Sequence, residues 1–185
     1  MLDIIQKDKA LLTYLNNLGS ESWDFLWLSI TNQMSWIPLF VFIIYLVFKT
    51  FGWKRGGFAL LFMILLVAFS DQFTNLIKNS FERLRPNNDP EIKYFLRTLI
   101  NPQSYSFMSG HATTSTFFTV FVVLLFREYY KYIYAILLFP IVFSYSRMYL
   151  GVHFPIDIAV GIAVGIIFGN LYFLLFKKVE KRLFT

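Results

Sequence analysis

Long apolar runs decide what this chain can become. Four of them approach or exceed the roughly 18–20 residues that cross a bilayer, and a fifth falls slightly short. They lie at about residues 36–51, 58–77, 110–126, 132–145 and 154–176. In hydrocarbon every backbone amide and carbonyl must find a partner inside the protein, so only helices and closed barrels can span. Runs this long, without apolar–polar alternation, select helices over a barrel. The expectation is an all-α integral membrane bundle of about five transmembrane helices. Composition agrees: 57% of the residues are hydrophobic and 21% aromatic, with 23 Phe, which places most of the mass in lipid.

The first 34 residues read differently. Leu2, Ile4, Ile5, Leu11, Leu12, Leu15 and Leu18 alternate with charges and amides, and Gly19-Ser20 breaks the pattern. Trp23, Phe25, Leu26, Trp27 and Ile30 then follow beside Glu21 and Asp24. Asn16, Asn17, Glu21 and Asp24 would be costly inside a span, so this segment is expected as two amphipathic helices in the interface, anchored by tryptophans. Met1 to Lys9 holds Asp3, Lys7, Asp8 and Lys9 and does not read as a cleavable signal peptide. The whole chain, 1–185, is expected to be one membrane domain: interfacial helices over 1–34, a core over 36–176 and a basic tail over 177–185. Absence of cysteine excludes disulfides and thiol catalysis. The net charge of +6 does not point to nucleic acid, because Lys and Arg gather at the ends of spans, as membrane topology requires.

Sidedness follows from those charges. A turn over 52–57, a turn over 127–131 and the tail share one face, with Lys49, Lys54, Arg55, Arg127, Lys131, Lys177, Lys178, Lys181 and Arg182. The N-terminal helices, the polar loop over 79–107 and a loop over 146–153 share the other. Once Lys78, Arg85 and Arg147 are set aside for chemistry, the bias puts the first face in the cytoplasm. The polar loops and the N-terminus are then expected outside a cytoplasmic (inner) membrane.

Three clusters of polar residues meet on that outer face. Lys78, Arg83, Arg85 and Pro86 stand at the end of the second span. Ser109, Gly110 and His111 open the third, and Arg147, His153 and Asp157 lie between the fourth and fifth. Pro155 suits the first turn of a helix, so His153 comes just before that helix and Asp157 within its first turns. A carboxylate four positions on can reach back to one imidazole nitrogen and fix its tautomer, leaving the other free as a nucleophile. Lysine and arginines neutralise a phosphate, while Ser109, Gly110 and the N-terminal amides of the third span cradle its oxygens. One histidine can attack phosphorus and the other can protonate the leaving oxygen. No metal-ligand set and no cofactor site is read in the sequence. Arg83 stays open between a second phosphate contact and a solvated residue. Asp71 shares a helical face with Asn75 and Lys78 and is expected to support the site rather than perform chemistry.

The set resembles the type 2 phosphatidic acid phosphatase superfamily of membrane lipid phosphatases. Its first motif is Lys, six residues, Arg-Pro, met by Lys78 and Arg85-Pro86. Its second, Pro-Ser-Gly-His, reads Met108-Ser109-Gly110-His111 here, with methionine replacing the proline. Its third, Ser-Arg, five residues, His, three residues, Asp, is met by Ser146-Arg147, His153 and Asp157. The resemblance implies that His153 is the nucleophile, oriented by Asp157, and that His111 acts on the leaving group and later on water. It assigns Lys78, Arg85, Ser109, Gly110 and Arg147 to phosphate binding and calls for no divalent metal. The substrate expected first is undecaprenyl diphosphate; phosphatidylglycerophosphate, phosphatidic acid and a lipid A phosphate are the alternatives. A lipid-to-lipid phosphotransferase and a non-enzymatic transporter of anionic lipids are the rival activities.

Overall fold

The structure is a computed structural model that describes residues 2–184; Met1 of the expected N-terminal helix and Thr185 of the expected tail lie outside them. It is all-helical among the described residues. In chain order the helices are α1 (Leu2–Asn17), α2 (Glu21–Thr31), α3 (Ile37–Phe81), α4 (Gly110–Phe126), α5 (Leu138–Tyr149) and α6 (Pro155–Phe184). A 3-10 segment, Lys131–Leu137, leads into α5. The polar loop between α3 and α4 carries only two short 3-10 turns.

α3 contains two of the expected spans. It is broken at Gly52, whose φ of 67° and ψ of −176° lie in a region that glycine alone occupies readily. The break is a reversal. Phe48 Cα lies 3.4 Å from where a Cβ on Gly56 would stand, although eight residues of straight helix would rise ~12 Å. The six-residue turn expected over 52–57 is therefore one residue, and 53–57 are already helical.

Three other boundaries move as well. α3 runs past residue 77 to Phe81 and ends where Glu82 takes a left-handed conformation. α5 includes Ser146 and Arg147, which were expected in a loop; Ser146 bonds back to Phe143 O and Arg147 lies in the last turn. α6 continues through the expected tail as far as Phe184. In each case polar side chains ended the apolar run, while the backbone kept its helical hydrogen bonds.

α4 is the central helix, packed against α3, α5 and α6, and even its Thr113, Ser115, Thr116 and Thr119 are buried, as in a helix with neighbours on several sides. Phe117, Phe121 and Phe126 are fully buried and meet Ile43, Val47, Leu66 and Phe176 in the main core. The closest seam joins α4 to α6. A Cβ at Gly161 would stand 2.9 Å from Ser109 O, one at Gly165 2.8 Å from Thr113 O, and one at Gly169 2.6 Å from Val120 Cβ. Glycine at every fourth residue brings the two backbones together, as in close helix pairs within membranes.

The N-terminal helices cap the end of the bundle where the polar clusters gather. α1 turns Asp8, Leu12 and Asn16 inward and leaves Ile4 and Leu11 exposed. The Asn16 amide donates to Tyr149 O (2.7 Å), Met148 O and Arg97 O, and Asn16 Oδ1 accepts from Arg97 N (2.7 Å). One side chain thus caps the end of α5 and ties it to the long loop. Arg97 grips both oxygens of Asp24 on α2 at 2.9 and 3.0 Å, and Trp27 stacks on Tyr149 with ring centroids 5.2 Å apart.

Candidate active site

Pro155 opens α6, and the Asp157 carboxylate folds back over the helix start to accept from Phe154 N at 3.0 Å. His153 sits one residue before that turn. His153 and Asp157 are both fully buried. Three groups converge on Asp157 Oδ2: Phe154 N, the Ser106 hydroxyl and His153 Nδ1 at 3.4 Å. On the far side of the ring, His153 Nε2 lies 3.2 Å from Arg85 Nη1. A guanidinium can only donate, so Nε2 holds the lone pair and the ring proton is on Nδ1, facing the carboxylate. That leaves the Nε2 lone pair turned away from the carboxylate, towards Arg85.

Arg85 is fixed before any ligand arrives. Its Nη1 donates to Val152 O at 3.0 Å, its Nη2 to Ser104 Oγ at 2.9 Å, and its Nε to Ser104 O. Ser109 caps α4, its hydroxyl accepting from Ala112 N at 3.4 Å, and its own amide donates to Asp157 O at 3.2 Å. That bond pins the start of α4 to the start of α6. His111, half-buried in the first turn of α4, stacks on Phe143 at 4.7 Å. Lys78 reaches over the same helix start, its Nζ 3.8 Å from the place of a Gly110 Cβ. Arg147 is buried at the end of α5; one guanidinium nitrogen donates to Thr31 Oγ1, and Nε has no partner.

Among the described residues no carboxylate lies within 4 Å of Lys78, Arg85 or Arg147. Three cations without counter-charges, near a helix N-terminus, make a surrounding in which an anion is electrostatically favoured. The same residues show no group of three His, Asp or Glu side chains able to hold a metal ion.

Of the two residues expected as possible support, Arg83, a quarter of its side chain still exposed, bridges Asp157 (2.6 Å) and Asp8 (2.8 Å). Asp71 is exposed on α3 and accepts from Asn75 at 3.2 Å, with no ion pair to Lys78, because i, i+7 neighbours lie two turns apart. The sequence reading missed Asp8, Ser104, Ser106 and Thr31, which lie far along the chain from the residues they hold. Two surface clefts, of about 590 Å³ beside α1 and about 320 Å³ between Trp23, Trp27 and Tyr149, contain neither histidine. Chemistry, and not cleft size, locates the site.

Burial pushes the His153 imidazole down to about 3, although Asp157 pulls the other way. An unfolded histidine takes its proton near 6.5, so the unfolded chain binds more protons below that pH and the fold loses stability as pH falls from 6.5 towards 3. The contribution from this residue approaches ~1.4 kcal/mol per pH unit. We expect His153→Gln to flatten that limb of the Tm–pH curve in detergent; an unchanged slope would contradict a neutral buried imidazole.

The surroundings of these residues match known proteins. A family model described as the PAP2 superfamily matches residues 56–181. A lipid A 4'-phosphatase from Bacteroides thetaiotaomicron is 31% identical over 180 residues, covering 95% of this chain and 80% of that one. One from Porphyromonas gingivalis is 28% identical over 157 residues, 83% of this chain and 66% of that one. Among solved structures, the transmembrane PAP2 type phosphatidylglycerolphosphate phosphatase from Bacillus subtilis superposes with a TM-score of 0.75 at 22% identity, covering 99% of this chain and 89% of that one. Aquifex aeolicus LpxE superposes with a TM-score of 0.68 at 23% identity, covering 88% and 92%. The histidine and arginine motifs lie inside a matched segment that takes in most of the helical core, and the chain belongs to the PAP2 superfamily, as a multi-pass membrane protein related to lipid phosphatases.

Proposed function

We propose that this protein removes a phosphate monoester from the sugar head of a lipid A-type glycolipid. The observation that carries the reading is the 31% identity to a lipid A 4'-phosphatase across 95% of the chain, with the three cations and both histidines in place. Undecaprenyl diphosphate, the first expectation from sequence, gives way to this alternative. The phosphatidylglycerolphosphate phosphatase supports the fold and not the substrate.

In the proposed mechanism Lys78, Arg85, Arg147 and the α4 N-terminus bind the phosphate, with Ser109 and Gly110 shaping that helix start. His153 Nε2 gives up its contact with Arg85 and attacks phosphorus, while the bond from phosphorus to the sugar oxygen breaks and His111 protonates that oxygen. Asp157 stabilises the positive charge that develops on the ring. Water then attacks the phosphohistidine, its proton passes to His111, and the N–P bond breaks to release phosphate. No divalent metal takes part. The chain acts as one membrane domain, with the site at the outer face of the inner membrane and the α6 extension in the cytoplasm.

The test uses purified protein in detergent with chelator, offered lipid A, undecaprenyl diphosphate, phosphatidylglycerophosphate and phosphatidic acid in parallel. Phosphate release from lipid A at least about tenfold faster than from the others, with the 4'-position lost by mass, is the expected result. Faster release from the diphosphate would restore the earlier expectation. Loss of activity in chelator would overturn the metal-free step. Labelled phosphate appearing on a second lipid, and not in solution, would make the protein a transferase.

A further inference from the structure

We propose that Asp8, on the N-terminal helix α1, is a positioning residue for this site, acting through Arg83 on Asp157. The inference rests on the reading of His153 and Asp157 given above.

Asp8 is almost fully buried, and each of its oxygens is used. Oδ1 accepts from Ile156 N at 2.9 Å, one of the amides in the first turn of α6 that has no partner within its own helix. Oδ2 accepts from Arg83 Nη2 at 2.8 Å. The other arm of that guanidinium donates to Asp157 Oδ1 at 2.6 Å, and its Cζ lies over the Phe154 ring, 3.9 Å from the ring centre. Arg83 is therefore a fork held by two carboxylates and an aromatic face, which fixes its position as one carboxylate would not.

The charge balance explains why the second carboxylate matters. Asp157 faces His153 and Ser106 through Oδ2 and Arg83 through Oδ1. With Asp8 neutral, Arg83 would direct its whole charge at Asp157 and draw the carboxylate away from a His153 Nδ1 that is already 3.4 Å distant. With Asp8 charged, Arg83 is shared, and Asp157 stays free to orient the imidazole and offset its developing charge. A helix outside the three motifs thus sets the geometry of the nucleophile, so α1 must be docked for the site to be complete.

Asp8→Asn tests this, because the amide oxygen can still accept from Ile156 while the charge facing Arg83 is lost. We expect kcat to fall about 10- to 100-fold with KM within about twofold. The decisive readout is a double-mutant cycle with Asp157→Asn, in which Asp8→Asn should cost no more than about twofold, since the residue it acts through is gone. Arg83→Lys, whose single ammonium cannot span both carboxylates, should show the same non-additivity and serves if Asp8→Asn does not fold. Asn16→Ala removes the bonds from α1 to the end of α5, remote from Asp157, and leaves Asp8 on Arg83; it should lower Tm and have the same effect on kcat in both backgrounds. Asp8→Asn lowering kcat equally with and without Asp157, or leaving kcat unchanged, would overturn the proposal while the histidine mechanism stood. Wild-type kcat in Asp157→Asn would overturn the mechanism and the proposal with it.

Discussion

His153→Ala is expected to reduce phosphate release by on the order of 10⁴-fold or more, and to abolish the acid-labile phosphoenzyme that rapid quenching should trap in the wild type. The size of the effect follows from the geometry. Nε2 is the lone-pair nitrogen that faces Arg85, and no cysteine exists to replace it. The nearby Ser106 hydroxyl is committed to Asp157. Water could use the cation pocket but would have no oriented base opposite the leaving group. His111→Ala should behave differently. A sugar alkoxide needs a proton to leave, whereas nitrophenolate does not, so the loss should be large on lipid A and much smaller on p-nitrophenyl phosphate. Equal losses on both substrates would remove His111 from the leaving-group role. Residual release in His153→Ala above about a hundredth of wild type would remove His153 from the nucleophile role.

The residues of the proposed site were legible in the sequence because their chemistry is unusual for a membrane chain. Lys78, Arg85, Ser109, His111, Arg147, His153 and Asp157 are polar groups at the ends of apolar runs, and the alternation of spans brings those ends together. What holds them was not legible, since nothing local marks it. Ser106 is an ordinary loop serine until it meets Asp157, 51 residues on. Thr31 closes α2 and has meaning only beside Arg147. Asp8 reads as one more charge on an interfacial helix, although Asp8, Leu12 and Asn16 at spacings of four give a stripe of mixed polarity that faces inward. Arg83 shows the limit most clearly. Both sequence-based alternatives for it were solvent- or substrate-facing, and its actual partners are two carboxylates from opposite ends of the chain. Helix ends were misplaced for a related reason: Ser146 and Arg147 end an apolar run without ending the helix, because their polar groups find partners inside the protein.

Gly165→Ala is expected to destabilise the bundle by about 3 kcal/mol, lowering Tm by roughly 6–12 °C, despite alanine being the better helix former by about 1 kcal/mol. The added Cβ would stand 2.7 Å from Thr116 Cβ, 2.8 Å from Thr113 O and 3.0 Å from Phe117 N. Two of those three atoms are α4 backbone, so no rotamer change relieves the contact and the helices must part. The consequence reaches the chemistry. α4 carries Ser109 and His111 at its start and α6 carries Asp157 at its own, and the two starts are joined by Ser109 N to Asp157 O at 3.2 Å. One turn nearer the site, a Cβ on Gly161 would already press on Ser109 O. Widening the seam therefore shifts the helix start proposed to bind phosphate relative to the histidine proposed to attack it, and kcat should fall even where the protein remains folded. Gly57→Ala is the control: no atom lies within 4 Å of its Cβ position, so only the helix-propensity gain remains and Tm should hold or rise slightly. A Gly165→Ala protein as stable and as active as Gly57→Ala would mean that α4 and α6 do not approach this closely, and the coupling of the two helix starts would fall with that contact.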